Sequence, residues 1–151
     1  QSIPLVSGME QALSNISSEI IFINNDSKFI NNKIILLRDY IINIFKNNKY
    51  IEITGSIQNR LPNHISFILF NKNFIPIEAY KIVNFMSENN IAISSGSSCS
   101  NSSKKASMVL EKIGLNDKKI FSNLRISFGL QNNKRELDKF YKLLLECIEI
   151  F

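Results

Sequence analysis

The 151-residue chain has two cysteines, one histidine, no tryptophan and no long apolar run. Two cysteines cannot form a disulfide framework, and we interpret both as free thiols in a reducing compartment. No apolar window approaches the length of a transmembrane helix, and the N-terminal residues lack the basic start of a signal peptide. We therefore expect a cytoplasmic protein that does not bind membranes.

The basic residues are too dispersed to mark a nucleic-acid interface. The formal net charge is +5, with small clusters at Lys104–Lys105 and Lys118–Lys119. Nucleic-acid binding calls for a patch or stripe of Lys and Arg, so we expect no direct contact with nucleic acid, whereas an acidic protein partner is compatible with this surface. The sequence also lacks a glycine-rich phosphate loop, and we identify no set of metal ligands.

Short apolar strands alternate with amphipathic helices along the chain. Apolar residues at helical spacing predict helices, and short apolar or alternating runs predict strands. The predicted helices cover 4–16, 33–47, 76–89, 104–113 and 134–151, and the predicted strands cover 19–23, 50–53, 64–70, 91–93 and 124–128. Gly114 is placed to cap the fourth helix, and the strand at 64–70, apolar on both faces, should be covered on both. The pattern predicts an α+β domain with a short sheet of roughly three or four strands and helices packed on one face.

Cys99 lies in an unusual segment, residues 94–103, in which no side chain is larger than asparagine. Free cysteine usually behaves as a small buried hydrophobe, but a thiol among small polar residues can reach a substrate and then a second partner. Lys104, Lys105 and the N-terminus of the following helix would lower the pKa of the thiol towards the reactive thiolate. We interpret Cys99 as a nucleophile. From the residues alone, the alternative is a serine-rich helix cap that happens to contain a cysteine.

Arg125 lies in a strand that alternates in character. The apolar side chains of Leu124, Ile126 and Phe128 share one face, and Arg125 lies on the other face with small neighbours. These leave room for a planar carboxylate, which a guanidinium binds through two hydrogen bonds. We predict that Arg125 binds a substrate carboxylate; from the residues alone, a surface ion pair with Asp or Glu is the alternative.

Three other residues are interpreted as structural. His64 is the only histidine and precedes an apolar strand, so we do not assign it a catalytic role. Cys147 falls on the apolar side of the last helix and is expected to pack in the core. Asn63 is expected to form a hydrogen bond in the turn before the strand.

Four segments occur in the order found in one enzyme family: RLPNHISF at 60–67, SSGSSCS at 94–100, SMVLEKIGL at 107–115 and LRISFG at 124–129. In this order they resemble the C-terminal part of the cysteine desulfurases, which are pyridoxal-phosphate enzymes of the class V aminotransferase group. The similarity is greatest to the branch that feeds iron–sulfur cluster assembly and carries its cysteine on a long loop. Ser98, Ala106 and Leu130 depart from the family pattern, which usually has Ala, Pro and Arg at these positions.

The resemblance implies a fold and a division into domains. The domain at 19–151 would be the small C-terminal domain of a fold-type I pyridoxal-phosphate enzyme, and 1–18 would be a helix from the end of a larger cofactor-binding domain. The chain opens at Gln1 without Met and stops at Phe151 inside a helical pattern. We therefore expect a fragment that is inactive alone.

The resemblance also implies a reaction. Cys99 would take sulfur from L-cysteine as a persulfide, alanine would be released, and Arg125 would hold the substrate carboxylate. Pyridoxal phosphate would be bound mainly by the missing domain, with no cofactor-binding residue in this fragment. The expected partners are a sulfur acceptor, either an iron–sulfur scaffold or a tRNA-thiolation protein, and a second copy in a full-length homodimer.

Two other functions remain open at this point. The chain could belong to a class V aminotransferase or a selenocysteine lyase, and an aminotransferase would not need the thiol. It could instead be a stand-alone persulfide carrier that receives sulfur on Cys99 and docks scaffold proteins.

Overall fold

The computed structural model describes residues 3–17, 32–96 and 107–151. Within these ranges the helices are α1 Ile3–Ser17, α2 Asn32–Lys46, α3 Ala79–Glu88, α4 Met108–Lys112, α5 Asp117–Phe121 and α6 Lys134–Ile150. The strands are β1 Ile51–Ile53, β2 His64–Leu69, β3 Ser94–Ser95 and β4 Asn123–Ser127. The strand predicted at 19–23 and the residue Cys99 lie outside the described residues.

The strands form one antiparallel sheet in the order β1-β2-β4-β3. Strand β2 lies in its centre and pairs Phe67 with Ile53 on one side and with Leu124 on the other. The predicted α+β class with a short sheet is confirmed.

The main hydrophobic core lies between one face of the sheet and the helices α2, α3 and α6. Alternation along β2 and β4 points Ile65, Phe67 and Leu124 into this core, where each is fully buried. Each of the three helices contributes an apolar stripe to the same cluster, which explains why their hydrophobic residues recur at helical spacing.

The opposite face of the sheet carries polar residues from neighbouring strands. On this face, Glu52 of β1 lies opposite Ile68 of β2, and Ser66 of β2 lies opposite Arg125 of β4. The short helix α5, which the sequence pattern did not predict, contacts this face because Lys119 forms an ion pair with Glu52. Every residue from Ile65 to Leu69 is buried, as the apolar character of both faces of β2 predicted.

The predicted strand at 91–93 is wrong. Ile91 and Ile93 pack as half-buried side chains at the margin of the core, and the strand comes directly afterwards, where Ser94 and Ser95 pair with Arg125 and Leu124. The apolar character of residues 91–93 reflects their contact with the core. The position of strand β3 is set instead by its backbone pairing with β4.

Two predicted helix starts are also wrong. Pro76 forms a bridge with Phe70, and α3 begins only at Ala79. Helix α4 begins at Met108 because the Ser107 side chain accepts a hydrogen bond from the amide of Leu110, as an N-cap does.

The predicted cap at Gly114 is confirmed. Gly114 has a φ of 88°, and the amides of Gly114 and Leu115 donate to the carbonyl oxygens of Glu111 and Leu110. This pattern is the Schellman motif, which satisfies the last carbonyl groups of a helix and favours glycine in the left-handed region.

Candidate functional site

Arg125 lies on β4 on the face opposite the main core, as the alternation predicted. Its side chain is half-buried, and its Nη2 donates to the carbonyl oxygen of Ser95 at 3.3 Å. Its Nε is buried and has no hydrogen-bond partner among the described residues. Nε and Nη2 lie on the same edge of a guanidinium group, the edge that a carboxylate can bind with two hydrogen bonds. This arrangement leaves a charged donor group unsatisfied, as expected where an anion binds.

Arg60 is a second arginine beside the same face. Its Nε and Nη2 donate to the carbonyl oxygens of Ser56 and Thr54, both at 2.8 Å, while its Nη1 is buried with no partner in the part of the chain that the structure describes. Burial, and then the charge of Arg38, lower the pKa of Arg60. Arg60 therefore orders the turn after β1 and adds positive charge beside β2.

His64 lies at the start of β2, opposite Ser127 of β4. Its pKa is lowered, first by burial and then by the charges of Arg60 and Arg125. Both arginines with an unpartnered nitrogen therefore lie within electrostatic range of one histidine. The positive potential favours an anion at this place and disfavours a protonated imidazole.

Three buried polar side chains form a closed ring of hydrogen bonds beside Arg125. The hydroxyl of Thr54 donates to Ser66 Oγ at 2.6 Å, and Ser66 donates to Asn123 Oδ1 at 3.0 Å. Asn123 Nδ2 completes the ring by donating to Thr54 Oγ1 at 2.9 Å. Each hydroxyl donates once and accepts once, so the ring is satisfied without water.

The site adjoins the point where the cysteine segment begins. Strand β3 ends at Ser95, and the amide of Gly96 donates to the carbonyl oxygen of Asn123 at 2.6 Å. Cys99 follows three residues after Gly96 and lies outside the described residues, so its predicted role stays a prediction. Arg125 thus forms a hydrogen bond with Ser95, the residue directly before Gly96.

Cys147 is fully buried in the core, as predicted. Burial, followed by the charge of Glu146, raises the pKa of this thiol to about 12. The thiol is therefore protonated at neutral pH and has no nucleophilic character.

The sequence analysis missed Arg60 and the hydrogen-bonded ring. The one available signal was Ser66, a hydroxyl in the middle of an otherwise apolar central strand, which has to find a partner when buried. Asn63 contributes through its backbone, because its carbonyl oxygen accepts from the amide of Phe128 at 3.1 Å.

The described residues do not fit a pyridoxal-phosphate site. That cofactor needs a lysine for its Schiff base and a partner for its pyridine nitrogen. Every described lysine is exposed except Lys81 and Lys119, which are half-buried and pair with Glu78 and Glu52. Within the three described ranges, no group of acidic, histidine or cysteine side chains could hold a metal ion, and no helix is long and apolar enough to cross a membrane.

The described residues thus form a short antiparallel sheet with helices α2, α3 and α6 on one face and Arg125 on the other. Residues 2–140 match the family described as aminotransferase class-V. The chain belongs to the class V aminotransferase family.

Curated relatives and solved structures agree with this family. The chain is 34% identical over 114 residues to the cysteine desulfurase IscS of Ruthia magnifica and 33% identical over 126 residues to that of Buchnera aphidicola. These alignments cover 76% and 83% of this chain but only 26% and 28% of the relatives, so the chain spans about a quarter of their length. A NifS-like protein from Rickettsia africae has the same fold, with a TM-score of 0.64 and 23% identity over 79% of this chain and 29% of that one.

Proposed function

We propose that this chain is the C-terminal part of a cysteine desulfurase, in which Arg125 binds the carboxylate of L-cysteine and Cys99 accepts its sulfur. The observation that carries the proposal is the buried, unpartnered Nε of Arg125 beside Ser95, next to the start of the cysteine segment. A carboxylate at this guanidinium would place an amino-acid substrate within reach of the residues that follow Gly96.

The sulfur transfer forms one S–S bond and breaks one C–S bond. The Cys99 thiolate attacks the sulfur of the substrate, an S–S bond forms, and the C–S bond breaks. The bonding electrons stay with the substrate carbon, which takes a proton and leaves as alanine, while Cys99 is oxidised to the persulfide. Small neighbours of Cys99 in the sequence suit a thiol that must then pass its sulfur to an acceptor.

Pyridoxal phosphate is assigned to a larger domain outside this chain. The paired and exposed lysines described above support this assignment, as does the quarter of the relatives' length that the chain spans. The helix at residues 1–18 is assigned to the end of that domain, and α1 exposes Ile3, Leu5 and Met9 to solvent. The isolated chain is therefore inactive.

The proposal includes the location of the complete protein in the cell and its partners. The complete protein is a cytoplasmic homodimer that delivers sulfur to an iron–sulfur scaffold or a tRNA-thiolation protein. A cysteine count too small for a disulfide framework and dispersed basic residues support a reducing compartment and an acidic protein partner.

The test compares the chain alone with a chimera in which it replaces the matching C-terminal segment of the Ruthia magnifica enzyme. With L-cysteine and pyridoxal phosphate, the chain alone should release no alanine in successive turnovers, and the chimera should do so with a persulfide on Cys99. Cys99→Ala should lower turnover at least about a hundredfold. Arg125→Lys should raise KM about tenfold, because it loses a two-bond contact with a carboxylate.

Cys147→Ala is the control and should keep the rate of the chimera, because this thiol is buried in the core. Sustained alanine release by the isolated chain would contradict the assignment of the cofactor to another domain. Full turnover by the Cys99→Ala chimera would favour an aminotransferase, which does not use the thiol.

A further inference from the structure

The peptide group between Ser95 and Gly96 is held from both of its sides. Its carbonyl oxygen accepts from Arg125 Nη2 at 3.3 Å, and its N–H donates to the carbonyl oxygen of Asn123 at 2.6 Å. Asn123 and Arg125 are two residues apart on β4 and point to the same face of the sheet. The same peptide therefore contacts the proposed carboxylate-binding residue and Asn123.

The Asn123 side chain also packs directly against Gly96. A Cβ at position 96 would overlap the side-chain oxygen of Asn123 and lie 3.0 Å from its Cγ. Glycine suits this position because a Cβ would have to displace the buried Asn123 side chain. The position of Gly96 thus depends on where that amide lies.

The hydrogen-bonded ring fixes the amide. Asn123 is fully buried, and its side-chain oxygen and nitrogen bond to Ser66 and Thr54. Thr54 is tied in turn to Arg60, whose Nη2 donates to its carbonyl oxygen. A closed, buried ring holds the amide group in place, because turning it away from Ser66 and Thr54 would leave buried polar atoms unsatisfied.

We propose that Asn123 is a positioning residue for the desulfurase reaction. Held by Thr54 and Ser66, it fixes the Ser95–Gly96 peptide, and that peptide in turn orients the Nη2 edge of Arg125 towards the substrate carboxylate. This inference rests on the proposed function, in which Arg125 is the carboxylate-binding group.

The test uses the full chain and nuclear magnetic resonance of two signals, the Gly96 amide and the Arg125 Nε–H. Asn123→Ala should speed hydrogen exchange of the Gly96 amide about tenfold beyond any change in the β2 amides. It should also shift the Arg125 Nε–H signal. A purely structural role of Asn123 would speed exchange at Gly96 and in β2 by the same factor and leave Arg125 unmoved, which would overturn the proposal.

Thr54 supplies a matched pair of variants. Thr54→Val keeps the shape but removes the hydroxyl from the ring, so it should reproduce both changes of Asn123→Ala, whereas Thr54→Ser keeps the hydroxyl and should restore the wild-type signals. Ser122→Ala removes a buried hydroxyl next to Asn123 that does not belong to the ring, and it should move neither signal. Equal behaviour of Thr54→Val and Thr54→Ser would contradict a role for the ring.

A double-mutant cycle tests the contact itself. Gly96→Ala should be strongly destabilising in the wild type and clearly less so in Asn123→Ala, because the overlapping oxygen is gone. Additive effects of the two substitutions would show that Asn123 does not constrain Gly96, and the proposal would fail.

In the chimera of the proposed function, the KM for L-cysteine separates this inference from that function. Asn123→Ala should raise this KM at least about threefold and leave kcat nearly unchanged, because the contact of Arg125 with the carboxylate is weakened. An unchanged KM would overturn the inference. If Arg125→Lys leaves the KM of the chimera unchanged, the carboxylate assignment of the proposed function fails, while exchange at Gly96 and the Arg125 Nε–H signal of the variants still decide whether Asn123 positions the peptide.

Discussion

The surroundings of His64 favour its neutral form. It is half-buried at the start of β2, and burial is the largest cause of its lowered pKa, followed by the charges of Arg60 and Arg125. A lone histidine near a candidate site invites the interpretation of a general base. Because the lowered pKa disfavours the protonated imidazole, we assign the positive charge at this place to Arg60 and Arg125.

The lowered pKa predicts a loss of stability in mild acid. Between the folded pKa and about 6.5, the unfolded chain binds a proton that the folded chain does not, so stability falls as pH decreases through this window. Urea unfolding at about pH 7.5 and about pH 5.5 should show this decrease, and His64→Gln should reduce it. The same decrease in both proteins would assign it to other groups.

The two thiols should differ in reactivity. With a pKa of about 12, Cys147 holds very little thiolate near pH 8, so its alkylation should be on the order of a thousandfold slower than that of an ordinary thiol. We expect iodoacetamide to modify the folded chain once, at Cys99, and mass spectrometry to locate the adduct. Cys99→Ser should stay unmodified until urea unfolds it. Rapid modification of Cys147 in the folded chain would contradict its place in the core.

At the scale of elements, the long periodic segments were predicted well, whereas the two-residue strand β3 was misplaced and the short helix α5 was missed. Helix α6 and the central strand β2 were predicted within a residue or two because many residues repeat the same pattern. Strand β3, which has two residues, and helix α5, which has five, carry too few positions for a pattern. Their positions follow from partners elsewhere in the chain, such as the pairing of Ser95 with Leu124.

The start of α6 offers a test at this scale. Asn133 accepts a hydrogen bond from the Glu136 amide, and the Glu136 side chain accepts one from the Asn133 amide, which together form a capping box. Asn133→Ala should lower the free energy of unfolding by about 1 kcal/mol. Asn84→Ala, an exposed asparagine inside α3, is the control for which urea unfolding should show a much smaller change. Equal losses would argue against the capping box as the cause.

At the scale of the whole molecule, one face of the sheet packs in the hydrophobic core and the other face carries the residues of the proposed site. The direction of Arg125, away from the core, could be predicted because side chains alternate between the two faces from one residue of a strand to the next. The ring could not be predicted in the same way, because Thr54 and Ser66 are 12 residues apart, and Asn123 is 57 residues from Ser66 and 69 from Thr54. These residues meet only when β1, β2 and β4 pair, and no local pattern specifies that register.

Phe67 lies between the central strand and the helices α2 and α6, and substitutions there should lower the free energy of unfolding strongly. It is fully buried at the centre of β2, with its ring 4.8 Å from that of Phe45 in α2 and 6.3 Å from that of Phe140 in α6. Phe67→Ala should cost about 3–5 kcal/mol, a large part of the stability of a domain of this size. Phe121→Ala removes an aromatic ring that is 37% exposed at the end of α5 and should cost far less. Urea unfolding compares the two variants, and equal losses would mean that the core is not organised around the central strand.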